Sequence, residues 1–577
     1  MIFQAAPHRP ADFLLVTGGE WVDHPSFGAA VIARVLEAEG FTVAYIAQPE
    51  WKDLSAFDGI PRPRLAGLVT SGNLDSMVAN YTAAKKRRSG EGRRPDRAVI
   101  VYTGLLKAAF PNLPVILGGL EASLRRFAHY DYWDDAVRRS VLVDAGADIL
   151  VYGMGEHAIR DLARQMDKGE PLYTRGICVM TDTAPADAVK LPSFEQVAKD
   201  KRAYAKATML EHREHDPVRG RALCQPHGKR FLVCAPPAMP LSAAELDFVA
   251  ELPYTRMPAG KDTEEVQFSL IHNRGCFGAC NFCSLAFHQG RIVTSRSHTS
   301  LLREAEFLTK LPGFKGYIHD VGGPTANFRR PACAKQMKAG TCADRQCLTP
   351  KACPSLDASH DDYLSLLRKL RALPGVKKVF VRSGIRYDFL MLDKSGRCME
   401  ELVEHHISGQ LKVAPEHCRD HVLDLMGKPR FAAYRAFAKR YETLNAEAGK
   451  KQFLVPYLIS SHPGSRPEDA AELALTLKRM GRRPEQVQDF YPTPGTISTC
   501  MYHTGLDPRT MKPVYVAKTP HEKAMQRALL QWFLPQNRKL VLEGLQKAGR
   551  TDLIPVLLSG KKGPSAGTRK SLPKKRR

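Results

Sequence analysis

The sequence contains no long apolar run, and this absence limits where the chain can work. No stretch of about 18 apolar residues occurs in it, so we expect no transmembrane helix. The segment from Met1 to Arg9 also lacks the basic start and apolar centre of a signal peptide. Both observations argue against a membrane or secreted protein and favour a cytoplasmic one.

Acidic residues are scarce relative to basic ones. The chain has 60 Asp and Glu against 85 Lys and Arg, which gives a formal net charge of +25. Eight of the basic residues lie in the tail from Gly560 to Arg577, which has no acid and is rich in Gly, Ser and Pro. Such a tail is expected to be disordered. A basic surface and tail can bind RNA nonspecifically, so RNA is one expected partner, and a merely solvated tail is the alternative.

A disulfide framework is also missing. The 13 cysteines are an odd number, and seven of them fall in two groups, at 276–283 and 333–353. Clustered cysteines in a chain with no secretory signal suit metal ligation in a reducing compartment better than disulfide pairing.

The first group lies in the segment Arg274-Gly275-Cys276-Phe277-Gly278-Ala279-Cys280-Asn281-Phe282-Cys283, which we call the cysteine loop. Its glycines allow the tight turns that would point three sulfurs at one centre. Thiolates suit Fe–S clusters, zinc or copper(I), and a [4Fe–4S] cluster usually takes four of them. With only three, one iron would keep an open site. Structural zinc is the alternative, although His272 and His288 complete no zinc-type pair with these cysteines.

The C-x3-C-x2-C spacing, with an aromatic residue before the last cysteine, resembles the signature of the radical S-adenosylmethionine (SAM) enzymes. The resemblance implies that Cys276, Cys280 and Cys283 hold a [4Fe–4S] cluster whose fourth iron binds SAM. It implies reductive cleavage of SAM to a 5′-deoxyadenosyl radical, which abstracts hydrogen from a substrate. It also implies a reducing partner such as flavodoxin or ferredoxin. Phe282 matches the family's aromatic position near the SAM adenine.

Strands and helices alternate along most of the chain. From Asp12 to Lys168 the pattern predicts a doubly wound, Rossmann-like sheet in an N-terminal domain at 1–180. Its predicted helices include a basic one from Leu74 to Arg88 and another from Glu156 to Lys168. A helical connection is predicted at 181–262, with a capping-box helix start at Ser242. An extension with the basic tail follows at 536–577.

Two segments of the N-terminal domain, Pro114–Gly119 and Val151–Glu156, resemble parts of the cobalamin-binding domains that precede many radical SAM cores. Those domains carry D-x-H-x-x-G, whose histidine ligates cobalt. The nearest match here is Asp23–Gly28, in which the histidine stands one place early. This departure favours a domain without cobalamin that covers the barrel or binds substrate.

Six strand–helix units between Val266 and about Leu534 predict a partial (β/α)6 barrel, the radical SAM core at 263–535. Chemistry in parallel barrels takes place at the carboxyl ends of the strands, and the cysteine loop follows the first strand. The fold class we predict is therefore α/β, with a doubly wound domain ahead of a radical SAM barrel and a short helical, basic C-terminus.

Several polar or small residues follow the predicted barrel strands. Gly322 and Gly323 resemble the start of the family's G-G-E motif, whose backbone receives the SAM amino group, although a plain turn would also use glycines. Further candidates for contact with SAM or substrate are Arg382, Ser383, Glu416 and His417. The segment Pro492–Thr496 resembles the P-x-P-G-T segment of the tRNA methylthiotransferase branch.

The second cysteine group occupies a long insertion between Gly323 and Asp357, which shows little secondary-structure pattern. Its members, spaced C-x8-C-x4-C-x5-C, are Cys333, Cys342, Cys347 and Cys353. Four thiols on the catalytic face suggest a second metal site. An auxiliary Fe–S cluster, structural zinc and unligated thiols all remain open, because the spacing matches no standard pattern.

The whole order of parts resembles the YgiQ-type family of bacterial radical SAM proteins. The resemblance implies a SAM-cleaving radical enzyme and leaves its substrate open. An RNA-modifying methyl- or methylthiotransferase is a second hypothesis, since the net charge and Pro494-Gly495 favour it. A non-enzymatic nucleic-acid-binding factor with a structural metal is the third.

Overall fold

The computed structural model describes residues 10–88, 93–257, 260, 263–485 and 487–558. The predicted basic tail lies outside the described residues. In the part of the chain that is described, no helix combines the length and apolar character needed to cross a membrane.

The first half of the chain forms a nine-stranded sheet with helices on both faces, plus a small two-stranded ribbon of β5 and β6. The strands are β1 Phe13–Thr17, β2 Val43–Ala47, β3 Ala66–Thr70, β4 Val115–Leu117, β5 His129–Asp131, β6 Ala136–Arg138, β7 Ile149–Val151, β8 Ile177–Thr181, β9 Val189–Lys190, β10 Leu223–His227 and β11 Arg230–Cys234. The helices are α1 Gly28–Ala38, α2 Ser76–Asn80, α3 Ala98–Ala109, α4 Gly119–Leu124, α5 Val141–Ala145, α6 Glu156–Lys168, α7 Phe194–Lys199, α8 Lys201–Glu214 and α9 Ala243–Glu251.

The sheet order is β2-β1-β3-β4-β7-β8-β11-β10-β9, and its first five strands are parallel. Successive side chains of a strand point to opposite faces, so a doubly covered strand is apolar at every position. In β1, Phe13 and Leu15 enter the core under α1 and α6, whereas Leu14 and Val16 enter the core under α3. This confirms the predicted doubly wound sheet.

The sheet extends beyond residue 180, where the sequence pattern predicted a helical connection. Strands β8 and β11 add antiparallel to its edge, and β10 and β9 complete it. Pro226 inside β10 and the two-residue length of β9 hide the strand pattern, so the sequence shows only the charged helices between them. The predicted capping box at Ser242 is present and begins α9, which confirms that detail.

A predicted basic helix from Leu74 to Arg88 is wrong beyond its first turn. Asp75 accepts hydrogen bonds from the amides of Met77 and Val78 and starts α2, but the helix ends at Asn80. The chain then folds back on itself through a bridge between Tyr81 and Arg87.

The second half forms the partial barrel and a C-terminal helical layer. Its strands are β12 Ser269–Ile271, β13 Asn273–Arg274, β14 Thr294–Ser295, β15 Tyr317–Ile318, β16 Asp320–Gly322, β17 Lys378–Val379, β18 Gln410–Glu416, β19 Phe453–Ser460 and β20 Gln488–Asp489. Its helices are α10 Glu264–Gln267, α11 Leu285–Gln289, α12 His298–Lys310, α13 Gln336–Ala339, α14 Asp361–Arg371, α15 Tyr387–Leu390, α16 Arg397–Glu401, α17 Asp420–Met426, α18 Phe431–Glu447, α19 Pro467–Arg479, α20 Ile497–Thr504, α21 Pro520–Leu530, α22 Arg538–Lys547 and α23 Ile554–Leu558.

The barrel strands pair in parallel and in chain order: β12 pairs with β16, β15 with β17, β18 with β19, and β19 with β20. Six sequential parallel units are what the sequence predicted, and the α/β fold class is confirmed. The first unit differs in detail, because the residues predicted to begin its strand form the one-turn helix α10. Helices α12, α14 and α18 cover the outside of the barrel and bury its largest apolar core.

Candidate active site

The cysteine loop begins at the carboxyl end of β12 and turns sharply at Gly275. This residue has a φ of 84°, and a Cβ there would overlap the carbonyl of Ile292, so only glycine fits. Further along the loop, Ala279 also has a positive φ of 44°. These turns bring Cys276, Cys280 and Cys283 together on the barrel's carboxyl face.

The three cysteines are partly buried. Burial, followed by the neighbouring thiols of Cys280 and Cys276, raises the pKa of Cys283 to about 12. Burial likewise raises the pKa of Cys276, whose Sγ lies 3.5 Å from Thr325 Oγ1. Thiols with such raised pKa values hold their protons at neutral pH, and a bound metal would have to displace them.

A buried arginine, Arg386, places its positive charge next to these thiols. Arg386 donates from Nη1 to Cys280 Sγ at 3.3 Å, and its other nitrogens form a bidentate pair with Asp388 at 2.7 and 2.8 Å. A Cβ on Gly278 would lie 2.6 Å from Arg386 Nη1, so the glycine makes room for the guanidinium. The pKa of Arg386 is raised despite burial, because Asp388 and the thiol of Cys280 stabilise its charge.

Neither nearby histidine joins the thiols. His272 Nε2 is hydrogen-bonded to the carbonyl of Ala326 at 2.8 Å, and His288 Nδ1 is bonded to Ser123 Oγ at 3.0 Å. Within the described ranges, no three Cys, His, Asp or Glu side chains converge on the space of a single metal ion. The loop therefore offers three thiols and no fourth ligand from these histidines.

A cavity of about 710 Å³ lies between the carboxyl edge of the N-terminal sheet and the mouth of the barrel. We call the two ends of the cavity the barrel lobe and the sheet lobe. The barrel lobe is lined by Ser269, Leu270, Ile271, Asn273, Gly322, Gly323, Pro324 and Ser383. The sheet lobe is lined by Leu15, Ile32, Leu68, Ile116, Gly118, Val151, Gly153 and Ile159.

Both predicted SAM-binding glycines lie in the barrel lobe at the end of β16. A Cβ on Gly322 would overlap Ser383 Oγ and Asp320 Oδ2, and one on Gly323 would overlap Asn273 Oδ1. The space beside this backbone is therefore too narrow for any side chain. A turn that used glycine only for its backbone freedom would not have protein atoms at the positions where the Cβ atoms would lie.

Asn273 is the most unusual polar residue of this lobe. Its side chain is 1% exposed, and neither its Nδ2 nor its Oδ1 has a hydrogen-bond partner among the described residues. Buried amides are nearly always hydrogen-bonded, because an unpaired buried polar group costs about 1–3 kcal/mol. An unpaired buried amide that lines a cavity can hydrogen-bond to a ligand or water that supplies both a donor and an acceptor.

An ion pair ties the cysteine loop to the N-terminal sheet. Arg274 pairs with Glu156, the first residue of α6, and both side chains are largely buried. Glu156 Oε2 lines the cavity without a partner in the described part of the chain. The two halves of the cavity are thus fixed to each other next to the cysteines.

Phe282 lies away from the cavity. Its ring packs edge-on against His462 at 6.1 Å between centroids, next to the apolar residues of α17 and β19. It therefore lies on the β18–β20 side of the barrel, opposite Gly322 and Gly323. Its predicted place near adenine stays a prediction.

The other predicted strand-end residues separate into two pairs. Arg382 and Ser383 line the cavity, and the amide of Ser383 donates to Asp320 at 3.1 Å. Glu416 and His417 are buried on the far side, where Glu416 lies 3.8 Å from Lys428. Burial lowers the pKa of His417 to about 4, so its imidazole is neutral. We do not count this second pair as part of the site.

His24, the histidine nearest to a cobalt-ligating position, is already engaged. Its Nε2 lies 3.0 Å from Arg256 Nη1, and its Nδ1 lies 2.5 Å from Ser26 Oγ. Burial, followed by the charge of Arg256, lowers the pKa of His24 to about 3. Both ring nitrogens are in use, so neither is free to ligate a metal without rearrangement.

The insertion between β16 and α14 packs directly against the cysteine loop. Gln346 donates from Nε2 to the carbonyl of Ala279 at 2.6 Å and to Asn281 Oδ1 at 3.0 Å. Burial raises the pKa of Cys347, and the thiols of Cys333, Cys342 and Cys353 raise it as well, against the lowering effect of Arg291. The structure thus brings both cysteine groups to the same face.

Sequence reasoning missed three residues of the site: Asn273 as an unpaired amide, and Glu156 and Arg386 as charges beside the cysteine loop. Arg386 lies 106 residues from Cys280, and the only available signal was its place after the third barrel strand. Glu156 belongs to the other domain, so its contact with Arg274 could not be read from spacing.

Comparisons with known proteins agree with this geometry. A family model described as Radical SAM N-terminal matches residues 4–269, and a domain of unknown function (DUF3362) matches residues 485–561. A parallel barrel with a three-cysteine loop behind such a domain defines the chain as a radical SAM protein.

Curated relatives identify the family. A UPF0313 protein of Clostridium botulinum is 53% identical over 94% of this chain and 88% of its own length. A UPF0313 protein of Clostridium perfringens is 52% identical over 94% of this chain and 86% of its own. The chain belongs to the UPF0313 family, and this confirms the resemblance to YgiQ-type radical SAM proteins.

A solved structure shows a similar fold. The cobalamin-dependent SAM radical enzyme OxsB with bound aqua-cobalamin aligns with 95% of this chain and 72% of its own, with a TM-score of 0.50 and 10% identity. At this identity the likeness concerns the fold alone. It supports the order of a doubly wound domain followed by a barrel.

Proposed function

We propose that this protein is a radical SAM enzyme that cleaves SAM reductively and uses the product radical to abstract hydrogen from a substrate still to be identified. The observation that carries the proposal is the unpaired, buried Asn273. It lines the barrel lobe three residues before Cys276 and beside the crowded glycines.

The donor set fits the cluster that the family implies. Cys276, Cys280 and Cys283 would hold three irons of a [4Fe–4S] cluster and leave the fourth iron for SAM. With the cluster bound and reduced, the chemistry it supplies is cleavage of SAM to methionine and a 5′-deoxyadenosyl radical. Arg386 would offset the negative charge of the thiolates through its bond to Cys280.

The barrel lobe fits the polar end of SAM. Gly322 and Gly323 line this lobe, and their lack of side chains lets Ser383 and Asn273 pack directly against the backbone there. Asn273 would accept from the ligand's amino group and donate to its carboxylate. The buried walls of the lobe would exclude water and strengthen these contacts.

We further propose that the sheet lobe holds the substrate. Its walls are mostly apolar side chains of β1, β3, β4 and β7, and ligands of doubly wound sheets bind at this edge. A Cβ on Gly118 would meet nothing within 4 Å, so this glycine leaves open space for a ligand. A small organic molecule or a single extended group fits a cavity of this kind.

A corrinoid is the alternative occupant of the sheet lobe, and a spectrum decides between them. Protein produced with cobalamin available should show no corrinoid absorption after gel filtration. Gly118→Phe should leave the affinity for SAM within about twofold, because the barrel lobe is unchanged. A bound corrinoid that Gly118→Phe expels would assign the sheet lobe to the cofactor instead.

Modification of RNA remains a second proposal for the substrate class. It rests on the net charge of +25, part of which belongs to the tail outside the described residues. RNA from a deletion strain that retains all its modifications would remove it.

SAM binding tests the main proposal directly. Asn273→Ala should weaken SAM binding by at least about tenfold, the effect of losing one or two buried hydrogen bonds. Equilibrium binding to anaerobically reconstituted protein measures this, with Asn80→Ala as a control in the N-terminal domain. Unchanged SAM affinity in Asn273→Ala would contradict the assignment of the barrel lobe.

A further inference from the structure

The four cysteines of the insertion lie on a segment with very little regular structure. The one-turn helix α13 is its sole helix, and no strand occurs among these residues, all of which are described. Long loops of this kind inside a domain are usually functional or disordered. This one is instead fixed by specific contacts, which place its thiols together.

The contacts begin at α13. The amide of Gln336 donates to the carbonyl of Cys333 at 3.1 Å, and its side-chain Nε2 lies 3.8 Å from Cys347 Sγ. The amide of Cys353 donates to the carbonyl of Cys347 at 2.8 Å. Cys342 lies between these turns and is the exposed member of the group.

Outside contacts hold the segment in place. Arg291 donates to the carbonyls of Cys342 and Arg345, both at 2.8 Å. Asp216, at the end of α8, accepts from the amide of Thr341 at 2.6 Å and from its hydroxyl at 2.7 Å. The insertion is therefore anchored to both the barrel and the N-terminal domain.

The segment is also continuous with the cysteine loop. Cys276 and Cys347 pack against the same apolar cluster, which contains the stacked rings of Phe277 and Phe328 at 3.7 Å. With the bonds of Gln346 to the loop, this makes the two cysteine groups immediate neighbours.

We propose that Cys333, Cys342, Cys347 and Cys353 hold a second Fe–S cluster, of the [4Fe–4S] type, in which every iron is ligated by protein. Four thiolates are the ligand set of such a cluster. With no iron left open, this cluster would bind neither SAM nor substrate. The proposal does not depend on SAM cleavage by the first group.

The arrangement favours a cluster over a single zinc ion. Structural zinc sites are usually built from close pairs with two to four intervening residues, and their Zn–S bonds are about 2.3 Å. Here only Cys342 and Cys347 have such a spacing, whereas eight residues lie between Cys333 and Cys342 and five between Cys347 and Cys353. In the described ranges the side chains do not converge on one ion, whereas a four-iron cube spans thiolates that stand farther apart.

Metal content in matched variants tests the proposal. Reconstituted protein should contain about eight irons and eight sulfides per chain if two such clusters are present. The triple variant C276A/C280A/C283A and the quadruple variant C333S/C342S/C347S/C353S should each retain about four irons. Cys418→Ser, a partly buried cysteine outside both groups, should change nothing.

The spectrum of the triple variant separates this proposal from the first. Its reduced cluster should give an EPR signal that SAM does not alter, because no iron has an open site. A triple variant that contains zinc, or no metal, would overturn the second cluster while leaving the first untouched. A wild-type protein that contains eight irons but does not cleave SAM would contradict the function proposed for the cysteine loop and leave the second cluster intact.

Alkylation provides a check that does not depend on how well the quadruple variant folds. In the reconstituted triple variant the four insertion thiols should resist iodoacetamide, and acid release of the cluster should expose them. Mass spectrometry identifies the labelled cysteines. Rapid labelling of all four before acid treatment would contradict the proposal.

Discussion

The two cysteine groups lie side by side on the barrel's carboxyl face, yet they are built in different ways. The cysteine loop places three thiols within eight residues, and glycine turns and a buried arginine fix it. The insertion spreads four thiols over 21 residues and depends on contacts from distant elements such as Arg291 and Asp216. On the proposals made above, the first group leaves one iron open to a ligand beside the cavity, and the second ligates every iron of its cluster.

Removal of the buried arginine should harm the cysteine loop more than the insertion. Arg386→Met leaves Asp388 without its partner, and breaking a buried ion pair costs about 3–5 kcal/mol. We expect loss of about half of the iron, all of it from the loop group. Iron analysis and thermal unfolding measure both effects.

The control for that variant is Arg386→Lys, which keeps a positive charge near Cys280 and should retain more iron than the Met variant. If Arg386→Met empties both cysteine groups equally, the distinction between them is wrong.

A methyl group in the barrel lobe should weaken SAM binding without removing metal. Gly323→Ala places a Cβ against Asn273 Oδ1, and overpacking of this kind costs about 1–3 kcal/mol. SAM affinity should fall by about tenfold or more, while the iron content stays the same. Gly384→Ala is the matched control, since a Cβ there meets nothing within 4 Å.

The hydrogen bonds from Thr341 to Asp216, just after α8, should stabilise the insertion alone. Asp216→Asn replaces one of the two carboxylate oxygens by an NH2 group, so either Thr341 or the amides of Val218 and Arg219 lose their acceptor. We expect a loss of about 1–3 kcal/mol and easier release of iron from the insertion to a chelator. Asp344→Asn, which removes only an exposed ion pair with Arg213, should release iron at the wild-type rate. Equal rates of iron release from the two variants would show that the contact between Asp216 and Thr341 does not stabilise the insertion.

The free energy of unfolding should depend on pH, although this dependence does not distinguish the two cysteine groups. Burial raises the pKa of Glu211, on α8, from its usual 4.5 to about 8. The folded state therefore holds a proton that the unfolded state has lost, so the contribution of Glu211 to the free energy of unfolding should fall as pH rises from about 4.5 to 8. Buried histidines such as His272 and His417, whose pKa values burial lowers, contribute in the opposite direction below about pH 6.5.

Glu211→Gln should remove this contribution, so the stability of the wild type relative to the variant should fall as pH rises from about 4.5 to 8, as chemical denaturation of both proteins would show. A difference between the two proteins that rises over this interval would contradict the assigned direction.

The sequence predicted the regular parts of the fold well, for physical reasons visible in single elements. Helix α6 was predicted with its observed ends, because its apolar residues recur at helical spacing and Gly169 stops it with a positive φ. The stretch from Leu74 to Arg88 also contains good helix formers, but it folds back through the bridge at Tyr81. Local composition carried no sign of that contact.

The sequence predicted only those parts of the candidate site whose residues are close together in the chain. The spacing of Cys276, Cys280 and Cys283 and the adjacent glycines after β16 are short-range patterns. The cavity is not, because Gly118 and Gly323 come from two domains more than two hundred residues apart. The unpaired state of Asn273 likewise depends on the space around it.

The most direct test of the account is an anaerobic experiment on SAM cleavage. The reconstituted protein is reduced with dithionite, SAM is added, and both the EPR signal and 5′-deoxyadenosine are recorded, with C276A/C280A/C283A as the control. We predict a signal that SAM shifts and a nucleoside that the control does not form. A protein with full iron content whose signal ignores SAM, and which forms no nucleoside, would contradict an open iron site on the cysteine loop.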